Sequence, residues 1–372
     1  MNVDERSGTA RLAVRFRHFA QEDCPEEPLY EALCRIVADD PALLDLLSGV
    51  SDPQQRPNLW LAAVHERLLA RPSHPLADYF PSAGGHCAPD AELAACVKSF
   101  VAEHEPALRS RMRTQTTQTN EIGRCAVLWP ALQAIAQRSG NSRLALLDFG
   151  CSAGLNLGVD SYRYDYGDFA LGADVQPDVP TVPCLLVGSR RPAIGGGFEI
   201  VQRCGIDPAP VSADDDAAVG WLRACLWPSD ALRATRFAQA VALIKQRRWP
   251  VRKVSDCTAY VSEWLAGVPA GVQPVVLNGW VLMYFDEPSL KRHIATMVDL
   301  VRSTGLMWLS AEGQALRVGP VEVPPPASAL TARQANLWTL CSREGGKEGG
   351  EARFDLLARS HPHGRWMEWL DA

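Results

Sequence analysis

The sequence predicts an α/β protein: a doubly wound, mostly parallel sheet with antiparallel C-terminal strands, preceded by a helical N-terminal region. Three observations carry this reading. Apolar residues recur at helical spacing, with no convincing strand pattern, until about residue 143. From Leu144 onward, short apolar runs alternate with helical patterns, as in strand–helix–strand units with right-handed crossovers. From Asn336 to Leu370 the pattern is that of antiparallel strands, with Gly345 to Gly350 as a turn between two of them. The boundaries follow: a helical region over residues 1–117, then a sheet domain over 118–372 with an insertion at about 165–198.

The first helices are marked by Leu29, Leu33, Ile36, Val37, Leu43, Leu44 and Leu47, then by Leu59, Trp60, Ala63, Val64 and Leu68. Leu93, Cys96, Val97, Phe100 and Val101 mark another, and prolines punctuate the series. Leu144 to Phe149 is a continuous apolar run, as in a buried parallel strand. A helical pattern through Leu155, Leu157 and Val159 follows it. Further strands are expected over Phe198 to Asp207, Val251 to Val254, Pro274 to Asn278 and Leu306 to Ser310. Helices are expected over Trp221 to Leu226, Leu232 to Ile244 and Leu290 to Val301, the last capped by Gly305. Asp168 to Gly197 is rich in Pro and Gly and reads as an inserted hairpin or lid.

Composition narrows the function classes. The 372 residues are 47% hydrophobic and 22% charged, ordinary for a globular protein. A net charge of -6 gives no global positive field to recruit nucleic acid or an anionic membrane. The N-terminal segment lacks the apolar core of a signal peptide, and no apolar run is long enough to span a bilayer. The 11 cysteines are scattered, with no C-x-x-C pair, so no metal site is expected and the thiols read as reduced, in a cytoplasm. A small-molecule substrate is the expected partner. Oligomeric state is not legible.

The most informative stretch runs from Leu146 to Leu157, where a strand turns toward a helix. Gly150 and Gly154 permit a tight turn and close approach of a ligand to the backbone. Helix N-terminal amides are then expected to face the ligand. Asp148 sits at the carboxyl end of the strand, where the crevice of an open α/β sheet forms. This pattern resembles the first motif of the class I S-adenosylmethionine-dependent methyltransferases, with Ser152 in place of the middle glycine. The resemblance covers roughly residues 118–372. It implies that the turn of Gly150, Cys151, Ser152 and Gly154 contacts the amino acid part of S-adenosylmethionine. It also implies that Asp207 binds the ribose hydroxyls, that Asp256 lies near the adenine, and that Asn278 and Tyr284 line the methyl-transfer site.

The chain also resembles a bacterial family, DUF2332, which brings no established activity. The carrying stretches are Gln118 to Arg124, Ser152 to Asn156 with Tyr162 to Gly167, and His361 to Trp366.

Two further readings compete. Gly150 to Gly154 also satisfies G-x-S-x-G, the nucleophile elbow of α/β-hydrolases, with Ser152 attacking. His361 or His363 is then the base, and Asp256 or Asp286 orients it. That fold needs strands before the elbow, where this sequence reads as helical. Nicotinamide binding needs a third glycine where Leu155 stands. A cofactor-binding protein without catalysis is the remaining alternative.

Other residues carry paired readings. Asn120, Glu121 and Arg124 form either a substrate or cofactor clamp or a helix cap with its first turn. Glu121, Tyr284, His361 and His363 are the candidate acid–base groups. The two histidines alone are a weak metal site and more readily serve as loop residues. Tyr162, Tyr164 and Tyr166 line a pocket or pack beneath the insertion. The basic run Lys245, Arg247, Arg248, Arg252 and Lys253 reads as a helix C-terminus, and Asp214 to Asp216 as a helix cap.

Overall fold

The computed structural model describes residues 3–24, 27–118, 120–193, 195–229, 231–332, 335–346 and 350–371. The chain forms two compact units. The first holds residues 1–119 together with 215–235, and the second holds 120–214 together with 236–372. The sequence-based boundary at 117/118 lies beside the first division. The segment 215–235 joins the first unit from the middle of the sheet domain.

The first unit is helical. Helices α1 (Val3–Glu22), α2 (Pro28–Ala38), α3 (Pro41–Asp45), α4 (Pro57–Leu69) and α5 (Leu93–Thr114) follow one another, with short 3₁₀ turns between. Prolines at the first helical position start α2, α3 and α4, where a missing N–H costs nothing. Their apolar faces meet in a core that includes Phe16, Leu33, Val37, Trp60, Val64 and Phe100. Trp60 buries its ring there and donates Nε1–H to Leu43 O at 3.1 Å, which satisfies its polar atom.

In the second unit, α6 (Cys125–Ser139) leads into β1 (Arg143–Phe149). Among the described residues no strand precedes Arg143. Strands β2 (Arg163–Asp165), β3 (Ala170–Gly172) and β4 (Thr181–Pro183) make a small sheet of order β3-β2-β4. That sheet, with β5 (Leu185–Val187), is what the expected insertion becomes. Strand β5 instead pairs parallel with the last strand at one edge of the main sheet. In chain order next come β6 (Glu199–Asp207), then α7 (Asp216–Ala224) and the start of α8 (Ala231–Arg247) within the first unit, then β7 (Val251–Lys253), α9 (Cys257–Ala266), β8 (Gln273–Gly279), α10 (Glu287–Thr304) and β9 (Met307–Gly313). Strands β10 (Asn336–Arg343), β11 (Ala352–Ser360) and β12 (Trp366–Trp369) close the chain.

Helix α7 belongs to the first unit. Asp215 caps it by accepting from Ala217 N and Ala218 N, so the acidic run is a cap, as its sequence suggests. Trp221 of α7 packs into the helical core.

The main sheet has nine strands in the order β5-β12-β11-β10-β9-β8-β1-β6-β7. Strands β7, β6, β1, β8 and β9 are mutually parallel, and β10, β11 and β12 continue as an antiparallel meander. The protein is therefore mixed α/β with a large, mostly parallel sheet. One face of β1, through Ala145, Leu147 and Phe149, packs with Val261 and Trp264 of α9 and Met297 and Val301 of α10. Gly305 ends α10 in the left-handed region, as expected from its position.

The chain moves outward from β1 through β6 to β7, then returns past β1 to β8. The strand order thus reverses between β1 and β8, and at such a point the carboxyl-end loops diverge and leave a crevice. Two expectations change. The pattern after Gly154 folds as a seven-residue 3₁₀ stretch, Leu155–Ser161, and not as an α-helix. Between β10 and β11 a 3₁₀ turn covers Glu344–Gly346, while Lys347, Glu348 and Gly349 of the expected turn lie outside the described residues.

Candidate functional site

At the reversal point two turns leave the sheet, one after β1 and one after β8. Each contains a residue other than glycine with positive φ: Ser152 at 50° and Trp280 at 60°. Such backbone costs of order 1 kcal/mol or more and persists only where surroundings enforce it. The enforcing groups are acids from the neighbouring strands. Asp207 at the end of β6 accepts Ser152 N at 3.0 Å through Oδ2 and Ala209 N at 2.8 Å through Oδ1. Glu312 on β9 accepts Val281 N and Leu282 N, both at 3.1 Å, and Asn278 Nδ2 at 3.0 Å, all through Oε1. Burial pushes the Glu312 carboxyl up, against these three donors.

The β1 turn has no free amide. Gly150 N and Cys151 N both donate to Ile206 O, at 2.8 and 3.1 Å. Ser152 N goes to Asp207, Ala153 N to Asn120 Oδ1 at 3.2 Å, and Gly154 N to Cys151 O at 2.8 Å. The expectation that helix N-terminal amides face a ligand here is therefore corrected. The 3₁₀ stretch supplies no such terminus, and the turn's own N–H groups are bonded within the protein. Nor is the close approach at Gly150 left for a ligand. A β-carbon there, at φ 75°, meets Val281 Cγ2 at 2.4 Å, and one on Gly154 meets Val251 Cγ2 at 2.8 Å. These glycines let the turn pack against neighbouring side chains.

Asp148 is 1% exposed at the end of β1. Asn156 Nδ2 lies 3.4 Å from its Oδ1, while Oδ2 takes no hydrogen bond from any described residue. Burial pushes this carboxyl up to about 7, with Asn156 opposing and the charge of Asp207 adding. Its Oδ2 is left without a donor while burial disfavours the charged form.

Asn120, Glu121 and Arg124, on the segment before α6, reach the same place. Asn120 Nδ2 donates to Ser152 Oγ at 2.9 Å, so this side chain holds the turn at two points. Glu121 caps its own turn by accepting Gly123 N at 2.8 Å, and its Oε2 lies 4.0 Å from His363 Nδ1. Arg124 donates from Nε to Pro362 O at 2.8 Å, and its guanidinium stacks 5.5 Å from the Trp280 ring centre. Trp280 Nε1 in turn donates to Asn336 Oδ1 at 2.7 Å. The turn at Gly364 can seat here only because both contacting residues are glycine: a β-carbon on Gly364 meets Gly123 O at 2.0 Å. His361 Nδ1 accepts His363 N at 2.9 Å, a loop role. Glu121 thus caps its own turn, as the cap reading expects, while Asn120 and Arg124 bond neighbouring segments of the protein.

Other candidates lie elsewhere or are fully used. Asn278 is 0% exposed, and its Nδ2 donates to Ser310 Oγ and Glu312 while Trp308 donates to its Oδ1. It shapes the site from behind. Asp256 and Asp286 cap α9 and α10 through Ala259 N and Ser289 N, so the acids needed by the hydrolase reading are engaged as caps. Tyr284 is 58% exposed beside Met283. Tyr162 and Tyr164 are buried and donate to Leu155 O and Val159 O, and Tyr166 donates to Ala126 O, so all three pack the insertion. Glu312, Trp280 and Asn336 were not singled out from the sequence. An acid just past an apolar strand is the signal that marked Asp207, and it was there for Glu312; nothing in the sequence marks the backbone of Trp280.

Two measurements check this site. The folded carboxyl of Asp148 holds its proton above the pH at which an unfolded aspartate releases it, so stability falls as pH rises from about 4 to about 7. Asp148→Asn removes this dependence. Urea unfolding at pH 5 and 8 should show wild type losing about 3 kcal/mol relative to the variant, at about 1.4 kcal/mol for each of the roughly two pH units between 5 and the folded value. Equal losses would sink the assignment. Gly150→Ala should cost about 2–4 kcal/mol through strain and overpacking. Val281→Ala should recover about 1–2 kcal/mol of it in the double variant. Full additivity would show that the two residues do not press on each other.

Among the described residues no helix is long and apolar enough to cross a membrane. No curated protein matches the chain. The three stretches that interlock here, at 118–124, 152–167 and 361–366, fall within one family model that spans residues 13–369 and is described as an uncharacterized protein conserved in bacteria. The chain belongs to that family, DUF2332.

Proposed function

We propose that the chain is a methyltransferase that binds S-adenosylmethionine at the β1–β8 reversal and acts on a small molecule. The observation that carries this reading is the polarity of the site. The five amides of the β1 turn are bonded, so it has no N–H cradle for a phosphate. What remains are acceptors: the buried, unbonded oxygen of Asp148, the half-buried carboxylate of Asp207 and main-chain carbonyls. S-adenosylmethionine presents donors to match, an ammonium and two ribose hydroxyls. A dinucleotide needs the amides that are taken. The order β7-β6-β1-β8-β9, with an antiparallel strand beside β9, is compatible with the class I methyltransferase arrangement that the sequence resembles. The fit is incomplete at Gly150, where Val281 occupies the approach.

In this reading Asp207 holds the ribose hydroxyls with the lone pairs its two backbone bonds leave over. Asp148 accepts from the ammonium. The cofactor supplies an electrophilic methyl group, and the protein's task is to place the acceptor in line with it. Where the acceptor carries a proton, His363 would take it, with Glu121 4.0 Å from its Nδ1 to stabilise the charge that forms. Arg124 and Trp280 offer a stacked, cationic wall suited to a planar or anionic acceptor.

Calorimetry on the purified chain tests this. S-adenosylhomocysteine should bind at micromolar concentration, while ATP and NADH should give no heat. Asp207→Ala, shown folded by its melting curve, should weaken binding about tenfold or more, as expected for lost hydrogen bonds to a charged group. Ser152→Gly should retain binding, since glycine relieves the positive φ. Silence with both S-adenosylmethionine and its product would end the proposal. Methyl-labelled cofactor incubated with cell extract should label the low-molecular-weight fraction, and label in macromolecules would overturn a small-molecule acceptor.

A further inference from the structure

The helical unit contains a second polar arrangement, apart from the sheet. His65 on α4 is 1% exposed. Its Nδ1 lies 2.9 Å from Ala224 O, and its Nε2 lies 2.6 Å from Ser82 Oγ. A carbonyl oxygen only accepts, so Nδ1 must carry the ring proton. Nε2 is then the lone-pair nitrogen, and Ser82 is the donor in the short bond. The tautomer is fixed by the backbone. This is the relation of nucleophile to base in acyl-transfer enzymes, with a carbonyl in the place usually filled by an aspartate.

The surroundings favour the same roles. Burial pulls His65 down to about 4, so at neutral pH the ring is uncharged and its lone pair stays available. The ring lies 5.5 Å from that of Phe80, which holds its plane. Ser82 is half-buried, on the 3₁₀ turn Pro81–Ala83. The next residues are exposed at Gly84, where a β-carbon would meet nothing within 4 Å. Gly85 seats the loop, since a β-carbon there meets Ala77 O at 2.3 Å. Ser82 is thus half-buried beside the exposed Gly84, with the buried His65 bonded to its hydroxyl.

We propose that Ser82 is an activated serine that takes an acyl or phosphonyl group from small activated esters, with His65 as its base. Ser82 Oγ bonds to the carbonyl carbon, its proton passes to His65 Nε2, and the carbon–oxygen bond to the leaving group breaks. The leaving alkoxide takes that proton from Nε2. Water, deprotonated by the same nitrogen, then cleaves the Ser82 ester to release the acid and restore the hydroxyl. An activated ester has a far better leaving group than the Ser82 ester, so acylation outruns hydrolysis and the ester accumulates. This site is independent of the cofactor reading.

The test uses the full chain and a fluorophosphonate probe, followed by peptide mass analysis. One adduct on the Ser82 peptide is expected, absent in Ser82→Ala and retained in Ser152→Gly. p-Nitrophenyl acetate should give a burst near one equivalent per chain, lost in Ser82→Ala. His65→Gln, if its melting transition is kept, should label at least about tenfold more slowly. No adduct, an adduct on Ser152 or another residue, or a burst that survives Ser82→Ala would overturn the proposal. An unchanged labelling rate in folded His65→Gln would also overturn it.

Discussion

A turn that leaves a parallel sheet inside a protein must bond every one of its amides, because a buried unpaired N–H costs as much as a broken hydrogen bond. The two turns at the sheet's reversal meet this requirement in the same way. An acid on the adjacent strand reaches across: Asp207 from β6 to the Ser152 turn, and Glu312 from β9 to the Trp280 turn. With those amides fixed, the positive φ of Ser152 and of Trp280 is held, and the side chains between β1 and β8 are placed. Asn120 adds a second hold on the first turn, and Asn336 holds the indole of the second.

The chemical character of the site follows from this bonding. Where a glycine-rich turn keeps its amides open, it favours anions. Here the amides are closed by carboxylates and carbonyls, and the groups left over are acceptors. Asp148 is the clearest of them, buried on β1 with one oxygen unmatched and its charge disfavoured. Arg124 stacks on Trp280 and bonds Pro362, so its charge lies on the side of the C-terminal turn. Acceptors by the β1 turn and a cation by the β8 turn make the site electrically uneven.

The helical unit shows the same rule in another form. His65 is buried in an apolar core and can stay there because both ring nitrogens have partners. One partner is a main-chain oxygen, which decides where the proton sits. The other is a hydroxyl that reaches toward the surface. A burial constraint on one residue thereby sets the state of another.

Much of this was legible in the residues. Periodicity gave the switch from helices to strands near residue 143, since a buried parallel strand must be apolar throughout and a surface helix only on one stripe. The acidic ends of β1 and β6 stood out as charges closing apolar runs, and the polar run at 118–124 stood out for its density. The segment after Gly154 misled because Leu155, Leu157 and Val159 are buried at a spacing that a 3₁₀ turn serves as well as a helix. The partner of each polar atom was not legible at all. Hydrogen bonds between Asp207 and Ser152, Asn120 and Ala153, or His65 and Ser82 join residues 17 to 55 positions apart, and only chain packing brings them to 3 Å. Sequence spacing determined where strands end and which residues are acidic there. Tertiary structure decided that these acids close the turn's amides, because a donor's fate depends on which acceptor the fold delivers to it.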